Sequence, residues 1–345
     1  MPHLKPKKIA VLMSGGVDST VAALLLKREG YDLAGLTLVL SGEAPAEEAA
    51  RQCEALGIPH AVLDLSGAFE ERVVGPFRES YRRGETPSPC VDCNAAIKFG
   101  LAWDFAEAAL HAEAMATGHY ARTGSDGKGP FLARGFDRGR DQSYFLYGIP
   151  LRKLERLLLP LGSLTKTQVR AMAAEAGLSV CEKPDSMDLC FAGHGDYRAL
   201  LEEGDFQPGP IVGLDGRFLG EHRGLAGYTV GQRKGLGVAF PEPLYVVRID
   251  RGTNTLVVAP REALLSCRVT AVRVNVLSPG ALEEEERLFG KIRSSGEPVP
   301  CRVARWDGVR LAVDFEEPVF APAPGQKLVL YDEAEHVVAG GTIQG

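Results

Sequence analysis

The chain has 345 residues, too many for one compact domain, so we expect two or three. Hydrophobic residues make up 45% and charged residues 24%, as in soluble globular proteins. The net charge of -6 disfavours a protein that binds nucleic acid over its whole surface, although it leaves room for a local basic groove. No apolar run is long enough to cross a bilayer, and the basic start, MPHLKPKK, leads into a strand rather than a secretion signal. We therefore expect a cytoplasmic protein with no membrane partner.

The first 200 or so residues alternate between strand-like and helix-like stretches, which predicts a parallel sheet with crossover helices. Proline and glycine in GETPSPCVDCN predict an irregular loop over 84–94. Thr165 and Gln168 have the spacing of a capping box at the start of a helix that continues to Ala176. The predicted strands are 9–13, 33–40 and 60–65, and the predicted helices are 19–29, 46–56, 69–83 and 97–109.

After residue 204 the pattern becomes β-rich, with short apolar pieces separated by glycine. From about 268 onward, alternating runs such as RVTAVRVNVL and QKLVLYD predict a small antiparallel barrel or sandwich, and we favour the barrel. The predicted α/β fold thus has a Rossmann-like catalytic domain over 1–204, a central β-rich domain over 205–264 and a C-terminal β-barrel over 265–345.

A Ser-Gly-Gly loop joins the first strand to the first helix in VLMSGGVDST. Gly15 and Gly16 let the backbone bring its N–H groups against an anion, and Ser14 and Ser19 add hydroxyl donors. The helix that follows presents the positive end of its dipole, so the loop can cradle phosphate oxygens. It lacks the lysine of a P-loop and the G-x-G-x-x-G spacing of a dinucleotide site. A tight strand–helix turn without a ligand is the simpler alternative.

The string S-G-G-x-D-S after a first strand resembles the pyrophosphate loop of the ATP pyrophosphatase superfamily, whose members adenylate a carbonyl or carboxylate. The resemblance implies that residues 14–19 hold the departing pyrophosphate and that Asp18 helps to hold Mg²⁺. The positions that match nucleotide contacts are Leu12, Met13, Ser14, Gly15, Gly16, Val17, Asp18, Ser19, Leu38 and Gly118.

Two cysteine segments narrow the resemblance. Cys93 lies in TPSPCVDCN and Cys190 in KPDSMDLCFAG, and these accompany ATGHYAR, RDQSYFLY and YTVGQRKGLG in the same order. Together the five motifs closely resemble the tRNA-specific 2-thiouridylase family, which installs sulfur at C2 of the wobble uridine of certain tRNAs. The resemblance implies an enzyme that uses ATP, releases AMP and pyrophosphate, and receives sulfur from a cysteine desulfurase or a relay protein.

The resemblance also implies a division of labour between the two thiols. Cys190 would carry the incoming sulfur as a persulfide, which suits an accessible thiol of low pKa. Cys93 would attack that persulfide, releasing sulfide or closing a Cys93–Cys190 disulfide. The two residues must therefore meet in the fold.

Other readings of the cysteines stay open. A cysteine between two apolar residues is ordinarily a small buried hydrophobe, and C-x-x-C ordinarily indicates metal or redox chemistry. Cys90, Cys93 and Cys190 could instead ligate a [4Fe-4S] cluster with one iron open to sulfide. We interpret the remaining cysteines as packing residues, Cys181 least securely: Cys53, Cys181, Cys267 and Cys301.

The RNA contacts rest on the same resemblance, because a wobble base must leave its stack before an enzyme reaches C2. It implies that Ser88, Pro89 and Cys90 touch the target base, that Arg140, Asp141 and Gln142 contact the tRNA, and that Arg293 and Ser294 stand where the family has Arg-Tyr. Basic residues scattered through the first domain would hold phosphates: Arg82, Arg83, Lys98, Arg134, Arg138, Arg140, Arg152, Lys153 and Lys166. We expect a monomer.

Two rival functions remain. Another ATP pyrophosphatase that ligates or amidates a small carboxylate would explain the glycine loop and leave both cysteines unused. A non-catalytic iron–sulfur RNA-binding protein would use the cysteines and leave the loop unused.

Overall fold

The structure is a computed structural model that describes residues 7–41, 46–182, 189–192, 197–283 and 287–345. It divides into two compact units. The first comprises residues 1–73, 90–191 and 334–337, and the second comprises 74–89, 192–333 and 338–345. No helix among the described residues has the length and apolar character to cross a membrane. The predicted three-domain boundaries at 204 and 264 stay predictions.

The first unit is built on a parallel sheet, as the alternating pattern predicted. Its strands and the neighbouring hairpin are β1 (Lys8–Leu12), β2 (Asp32–Val39), β3 (His60–Asp64), β4 (Ala114–Ala116), β5 (Ala121–Asp126), β6 (Gly129–Arg134) and β7 (Leu157–Leu158).

The sheet order is β3-β2-β1-β4-β7, with every pair parallel, while β5 and β6 form a separate antiparallel hairpin. Ile9 of β1 pairs with Leu33 on one side and Ala114 on the other. The chain thus builds outward from β1 in one direction and then returns to its other side with β4. Ligands in open α/β sheets bind at the carboxyl ends of the strands where the order reverses, and here that point lies between β1 and β4.

The helices match most of the predicted ranges, with boundaries that differ by a few residues. Two stretches wind as π-helices, Glu70–Val74 and Asn94–Ala102. The α-helices are α1 (Val17–Arg28), α2 (Ala46–Leu56), α3 (Ser66–Phe69), α4 (Gly75–Arg82), α5 (Pro89–Cys93), α6 (Trp103–Leu110), α7 (Ser143–Leu146), α8 (Leu151–Leu154), α9 (Lys166–Glu175) and α10 (Gly280–Glu283).

The predicted loop over 84–94 is wrong in its second half. Pro89 is the first residue of α5, and the helical run continues past Cys93 into the second π-helix. Proline at a first helical position loses nothing, because that N–H has no partner inside the helix. Cys93 consequently stands on a rigid helical element.

The capping box at the start of α9 is confirmed. The Thr165 hydroxyl accepts a hydrogen bond from the Gln168 backbone N–H at 3.3 Å, and the Gln168 side chain accepts one from the Thr165 N–H at 2.8 Å. The core between the sheet and helices α1, α2 and α9 is apolar and includes Ile9, Val21 and Val169, none of which is exposed.

The second unit contains a four-stranded sheet and a closed six-stranded barrel, which confirms the predicted C-terminal barrel. The sheet has the order β10-β11-β8-β9 and the barrel the order β12-β15-β14-β13-β16-β17, closed by pairing of β17 with β12. The strands are β8 (Gly209–Val212), β9 (Phe218–His222), β10 (Tyr245–Asp250), β11 (Thr255–Ala259), β12 (Leu265–Val276), β13 (Leu288–Lys291), β14 (Val299–Trp306), β15 (Arg310–Phe320), β16 (Lys327–Tyr331) and β17 (Val337–Ile343).

Candidate active site

The glycine loop leaves β1 at the point where the sheet order reverses. Gly15 has a φ of 69°, a left-handed conformation that side chains other than glycine rarely adopt. A Cβ added there would also lie 2.9 Å from Glu48 Cβ on α2. The loop then passes directly into α1 at Val17, whose first N–H groups have no partner within the helix. The loop and the start of α1 thus have the geometry of an anion-binding helix N-terminus, and the binding of phosphate there stays a prediction.

The hydroxyl groups of the loop hold its shape. Ser14 donates its backbone N–H to Ser19 Oγ at 3.2 Å, and the two side-chain oxygens lie 3.1 Å apart. Ser19 also donates to the Gly16 carbonyl at 3.2 Å. Both serines line a cavity, so they can turn to a phosphate oxygen without crossing protein.

Gly118 packs against the backbone where the loop becomes α1. A Cβ at this position would lie 2.7 Å from both the Asp18 carbonyl carbon and the Ser19 nitrogen. No real side chain fits at that distance unless the loop moves. Gly118 therefore lets the segment after β4 approach the loop closely, and its contact with the nucleotide stays a prediction.

Asp18 is held by two residues that are distant in sequence. Lys166 Nζ lies 2.7 Å and 2.8 Å from its two carboxylate oxygens, and the Tyr120 hydroxyl donates to Oδ1 at 2.7 Å. The Lys166 side chain is only 11% exposed. Lys166 was predicted as a tRNA phosphate contact. The structure instead places it inside the first unit beside the loop, where it supplies the cation that the loop sequence lacks.

A cavity of about 480 Å³ opens beside the loop in the first unit. Two of the predicted RNA or sulfur residues, Gln142 and Cys190, line it together with the nucleotide residues. Gly15, Gly16 and Val17 shape the loop from outside the cavity wall. The predicted nucleotide residues on the wall are Leu12, Met13, Ser14, Asp18, Ser19, Leu38 and Gly118.

The thiols of Cys90, Cys93 and Cys190 come together in the first unit. A thiolate at Cys190 raises the pKa of both other thiols, so the three sulfurs lie within electrostatic range of one another. Cys93 is buried, whereas Cys90 and Cys190 retain exposed surface. All seven cysteines are described, and none forms a disulfide. The fold thus brings together residues that are 97 positions apart.

The predicted low pKa of the Cys190 thiol is wrong. Burial raises the pKa of Cys190 and Cys90, and it raises the pKa of Cys93 to about 11. Although Cys90 and Cys190 are exposed as residues, the surrounding protein still desolvates their thiols. Lys98 opposes this effect at all three sulfurs.

The neighbours of Cys190 fix it at the cavity. The ring of Phe191 meets the buried ring of Phe69 edge to face, with centroids 5.5 Å apart and planes at 74°. This contact anchors the described segment 189–192 to the first unit. Residues 183–188 of the KPDSMDLC motif lie outside the described residues.

His119 also lines the cavity and stays neutral. Burial lowers its pKa well below the ordinary value, and the charge of Lys98 adds to that effect. Its Nδ1 lies 2.7 Å from Thr117 Oγ1, which fixes the ring. The sequence predicted Lys98 only as a phosphate contact for the tRNA, and it included His119 only as part of the ATGHYAR motif.

The residues predicted to contact tRNA occupy different environments. Gln142 accepts from the Tyr120 N–H at 2.9 Å and donates its own N–H back to the Tyr120 carbonyl at 2.8 Å, so it holds the segment after β4. Asp141 is turned inward, with a side chain 1% exposed and the Arg134 guanidinium 3.2 Å away. Arg140 is half-buried.

The other predicted RNA residues belong to the second unit. Ser88, just before α5, and Pro89, its first residue, are buried, whereas Ser294 is exposed. Arg293 donates to the Phe320 carbonyl and lies 5.8 Å from the centre of its ring.

Several of the basic residues predicted to contact tRNA phosphates instead form hydrogen bonds or ion pairs within the protein. Lys153 is buried and donates to the Phe99 carbonyl and to Asp104, each at 2.8 Å. Arg82 pairs with Asp205 at 3.0 Å. Sequence pattern alone cannot separate such internal charges from solvated ones. Arg138 and Arg152 are exposed, and Arg83 is exposed as well.

No three histidine, cysteine or acidic side chains among the described residues come together as a metal site. A [4Fe-4S] cluster held by Cys90, Cys93 and Cys190 therefore stays an untested alternative. Mg²⁺ makes a different demand, since it often takes one or two carboxylates together with substrate phosphates. Asp18 lines the cavity beside the loop, where both of its carboxylate oxygens contact Lys166, and Mg²⁺ binding by Asp18 stays a prediction.

Among solved structures, the chain is similar to a 4-thiouridine synthetase in complex with RNA and ATP, with 19% identity, coverage of 52% of this chain and 43% of that chain, and a TM-score of 0.37. An NH3-dependent NAD synthetase from Campylobacter jejuni is 21% identical over 52% of this chain and 69% of its own, with a TM-score of 0.35. These likenesses are too distant to support an argument about function.

Three family models cover nearly the whole chain: a tRNA methyl transferase HUP domain over 7–194, a PRC-barrel domain over 198–260 and an aminomethyltransferase beta-barrel domain over 266–343. Curated relatives carry a different name. The tRNA-specific 2-thiouridylase MnmA of Caulobacter vibrioides is 43% identical, covering 98% of this chain and 94% of the relative. That of Xanthobacter autotrophicus is 46% identical, covering 97% and 92%. Because these full-length matches carry the thiouridylase name throughout, the chain belongs to the tRNA-specific 2-thiouridylase family.

Proposed function

We propose that the protein is a tRNA-uridine 2-sulfurtransferase that uses ATP to activate C2 of the wobble uridine and then replaces its oxygen with sulfur. The observation that carries this proposal is that Cys190 lines the same cavity as Ser14, Asp18 and Ser19 of the anion-binding loop. A carboxylate ligase of the superfamily would use the loop but not Cys190, whereas sulfur transfer uses both.

The first half-reaction makes the uridine oxygen a leaving group. The C2 oxygen attacks the α-phosphorus of ATP, the bond to the β-phosphate breaks, and pyrophosphate leaves. Backbone N–H groups at the start of α1, with the hydroxyls of Ser14 and Ser19, stabilise the charge that develops on the pyrophosphate. Lys166 adds a buried positive charge next to the loop through Asp18. Bound Mg²⁺ would neutralise phosphate charge, with Asp18 among its ligands.

The second half-reaction transfers sulfur. The terminal sulfur of a Cys190 persulfide adds to C2 and AMP leaves with the original oxygen. The Cys93 thiolate then attacks the Cys190 Sγ, which forms a Cys93–Cys190 disulfide and leaves 2-thiouridine in the tRNA. A thiol reductant must restore both cysteines, and a sulfur donor must reload Cys190. The effect of a Cys190 thiolate on the pKa of Cys93 supports the short reach that this step requires.

The persulfide route is the version we propose. The [4Fe-4S] alternative has no support from the described arrangement of Cys90, Cys93 and Cys190, so we route no step through a cluster. Cys53, Cys301 and Cys267 take no part: the first two are buried in cores, and the third lies in the barrel strand β12.

The partners follow from the reaction. The substrate is the anticodon arm of a tRNA, with Gln142 at the cavity and the exposed Arg138 and Arg152 as phosphate contacts. The sulfur donor is a cysteine desulfurase or a relay protein. We expect a monomer that works in the cytoplasm, where thiols are kept reduced.

The direct test measures tRNA nucleosides by mass spectrometry after incubation of the protein with unmodified tRNA, ATP and a persulfide donor. We expect 2-thiouridine at the wobble position, and its absence under all donor conditions would overturn the proposal. ATP–pyrophosphate exchange separates the rival ligase. Exchange that requires tRNA supports thiolation, whereas exchange that requires a small carboxylic acid supports the ligase.

A further inference from the structure

Lys98 stands five residues after Cys93, on a helix of unusual winding. Cys93 precedes the π-helix Asn94–Ala102, in which hydrogen bonds run between residues i and i+5. In an α-helix, residue i+5 would be turned by about 140° from residue i. The wider π winding brings residue i+5 back over residue i, and so directs Lys98 to the face that carries Cys93. π-Helical turns often occur at functional sites.

The side chain of Lys98 reaches the cavity that contains the sulfur chemistry. It lines the same wall as Cys190 and His119 and is half-buried. Within the described parts of the chain no carboxylate forms a salt bridge with it. A cation therefore faces the cavity at its thiol end, whereas the cation at the nucleotide end, Lys166, is already paired with Asp18.

The charged and titratable groups around the thiols act in opposite directions. Asp92, on the same helical run, disfavours thiolates at Cys90 and Cys93, and a thiolate at Cys190 disfavours both of them as well. His119, from the segment after β4, is neutral and contributes no charge. Lys98 favours the thiolate at all three positions. Among the described residues, Lys98 is thus the charged side chain that favours all three thiolates, and a backbone hydrogen bond adds to its effect at Cys190.

We propose that Lys98 is a positioning residue of the sulfur-transfer site, whose ammonium group holds the thiolate or persulfide anions of Cys190 and Cys93 at the cavity. This proposal rests on the proposed function, since it assigns Lys98 to the second half-reaction. Before sulfur is transferred to C2, the persulfide anion of Cys190 and the thiolate of Cys93 then lie beside one cation, and Cys93 is already in its ionised form when it attacks Cys190 Sγ in the later step. Lys98 would also offset their mutual repulsion, which burial would otherwise intensify.

The test measures thiol ionisation without ATP or tRNA, so it does not depend on turnover. The full-length reduced protein is treated with iodoacetamide from pH 6 to 10, and the alkylation rate of the Cys190 peptide is followed by mass spectrometry. Lys98→Gln and Lys98→Met should shift the midpoint of the Cys190 profile upward by about one pH unit, which is about a tenfold slower rate near pH 7.5. Lys98→Arg should keep the wild-type midpoint.

Two internal controls accompany these variants. Lys128→Gln removes a lysine from the turn between β5 and β6 and should leave the profile unchanged. Cys53 and Cys301 are buried and should stay unmodified, so their alkylation would reveal an unfolded variant. An unchanged Cys190 midpoint in folded Lys98→Gln and Lys98→Met would overturn the proposal.

The same variants distinguish failure of this inference from failure of the proposed function. If the Cys190 alkylation midpoint differs between wild type and Lys98→Gln but wild-type protein makes no 2-thiouridine, the assignment of Lys98 stands and the proposed reaction is wrong. If 2-thiouridine forms at a normal rate and with a normal pH profile in Lys98→Gln, the reaction stands and Lys98 has no part in it.

Discussion

The cavity has a nucleotide end beside residues 14–19 and a thiol end beside Cys190, and the two ends depend on different physical features. The nucleotide end depends on backbone shape. Gly15 adopts a left-handed conformation, and a Cβ at Gly118 would lie 2.7 Å from the backbone of Asp18 and Ser19. At the thiol end the ionisation of the thiols depends on charge, because burial raises the pKa of each thiol and the Lys98 ammonium opposes that shift. Backbone shape is fixed before any substrate arrives, whereas the thiol end depends on a balance that one charge can shift.

The strongest test of this comparison removes the thiol and leaves the loop intact. Cys190→Ser should abolish 2-thiouridine formation, because serine carries no persulfide, while tRNA-dependent ATP–pyrophosphate exchange continues. Nucleoside mass spectrometry and an exchange assay on the same preparation measure the two halves separately. Cys53→Ser, in the core of the first unit, is the matched cysteine control and should retain thiolation. If exchange is lost as fully as thiolation, the two ends are not independent.

Asp18 gives the converse test at the nucleotide end. Asp18→Asn should lower exchange by about 100-fold or more, since the loop loses its carboxylate and Lys166 keeps a buried charge without its partner. Cys190 alkylation should stay normal in the same variant. The matched control is Asp32→Asn, at the exposed first position of β2. Normal pyrophosphate release from Asp18→Asn would contradict the assignment of the loop.

The two ends also differ in how far the sequence predicted them. The loop, the strand before it and the capping box of α9 depend on local residue types, and all three are confirmed. Lys98 and Lys166 were interpreted as phosphate contacts, because a lysine's partner is set by tertiary packing. The π-helix was predicted as an α-helix, since an i+5 winding leaves no pattern that separates it from ordinary helical periodicity.

The dependence on tertiary packing also explains why the sequence predicted the structure around Pro89 and the pKa of Cys190 incorrectly. Pro89 was interpreted as part of a loop, although at the first position of a helix it is favourable. The resemblance indicated that Cys93 and Cys190 meet, and the fold brings them into one unit. It did not indicate that burial raises the pKa of Cys190, because desolvation depends on how the surrounding protein packs around the thiol.

A smaller effect is expected from the close packing at Gly118. Gly118→Ala should raise the KM for ATP by about tenfold, because the methyl group forces the Asp18–Ser19 backbone to move at a cost of about 1–3 kcal/mol. Gly127→Ala is the control, since an added Cβ there meets nothing within 4 Å. Steady-state exchange kinetics at varied ATP concentration measure the change. An unaltered KM in Gly118→Ala would show that the loop adapts freely and that its shape is not fixed beforehand.

The smallest effect tests whether the cation at the nucleotide end depends on the cap of α9. Thr165→Ala removes the side-chain acceptor for the Gln168 N–H, which should cost about 1 kcal/mol and lower the melting temperature by about 2–4 °C. Lys166 is the first residue of that helix, so a frayed start should also weaken its contact with Asp18 and raise the KM for ATP about twofold. Thr165→Ser restores the hydroxyl and should recover both values. A lower melting temperature with an unchanged KM would mean that Asp18 and Tyr120 hold Lys166 without help from the cap, which would make the nucleotide end even less dependent on its surroundings than the thiol end.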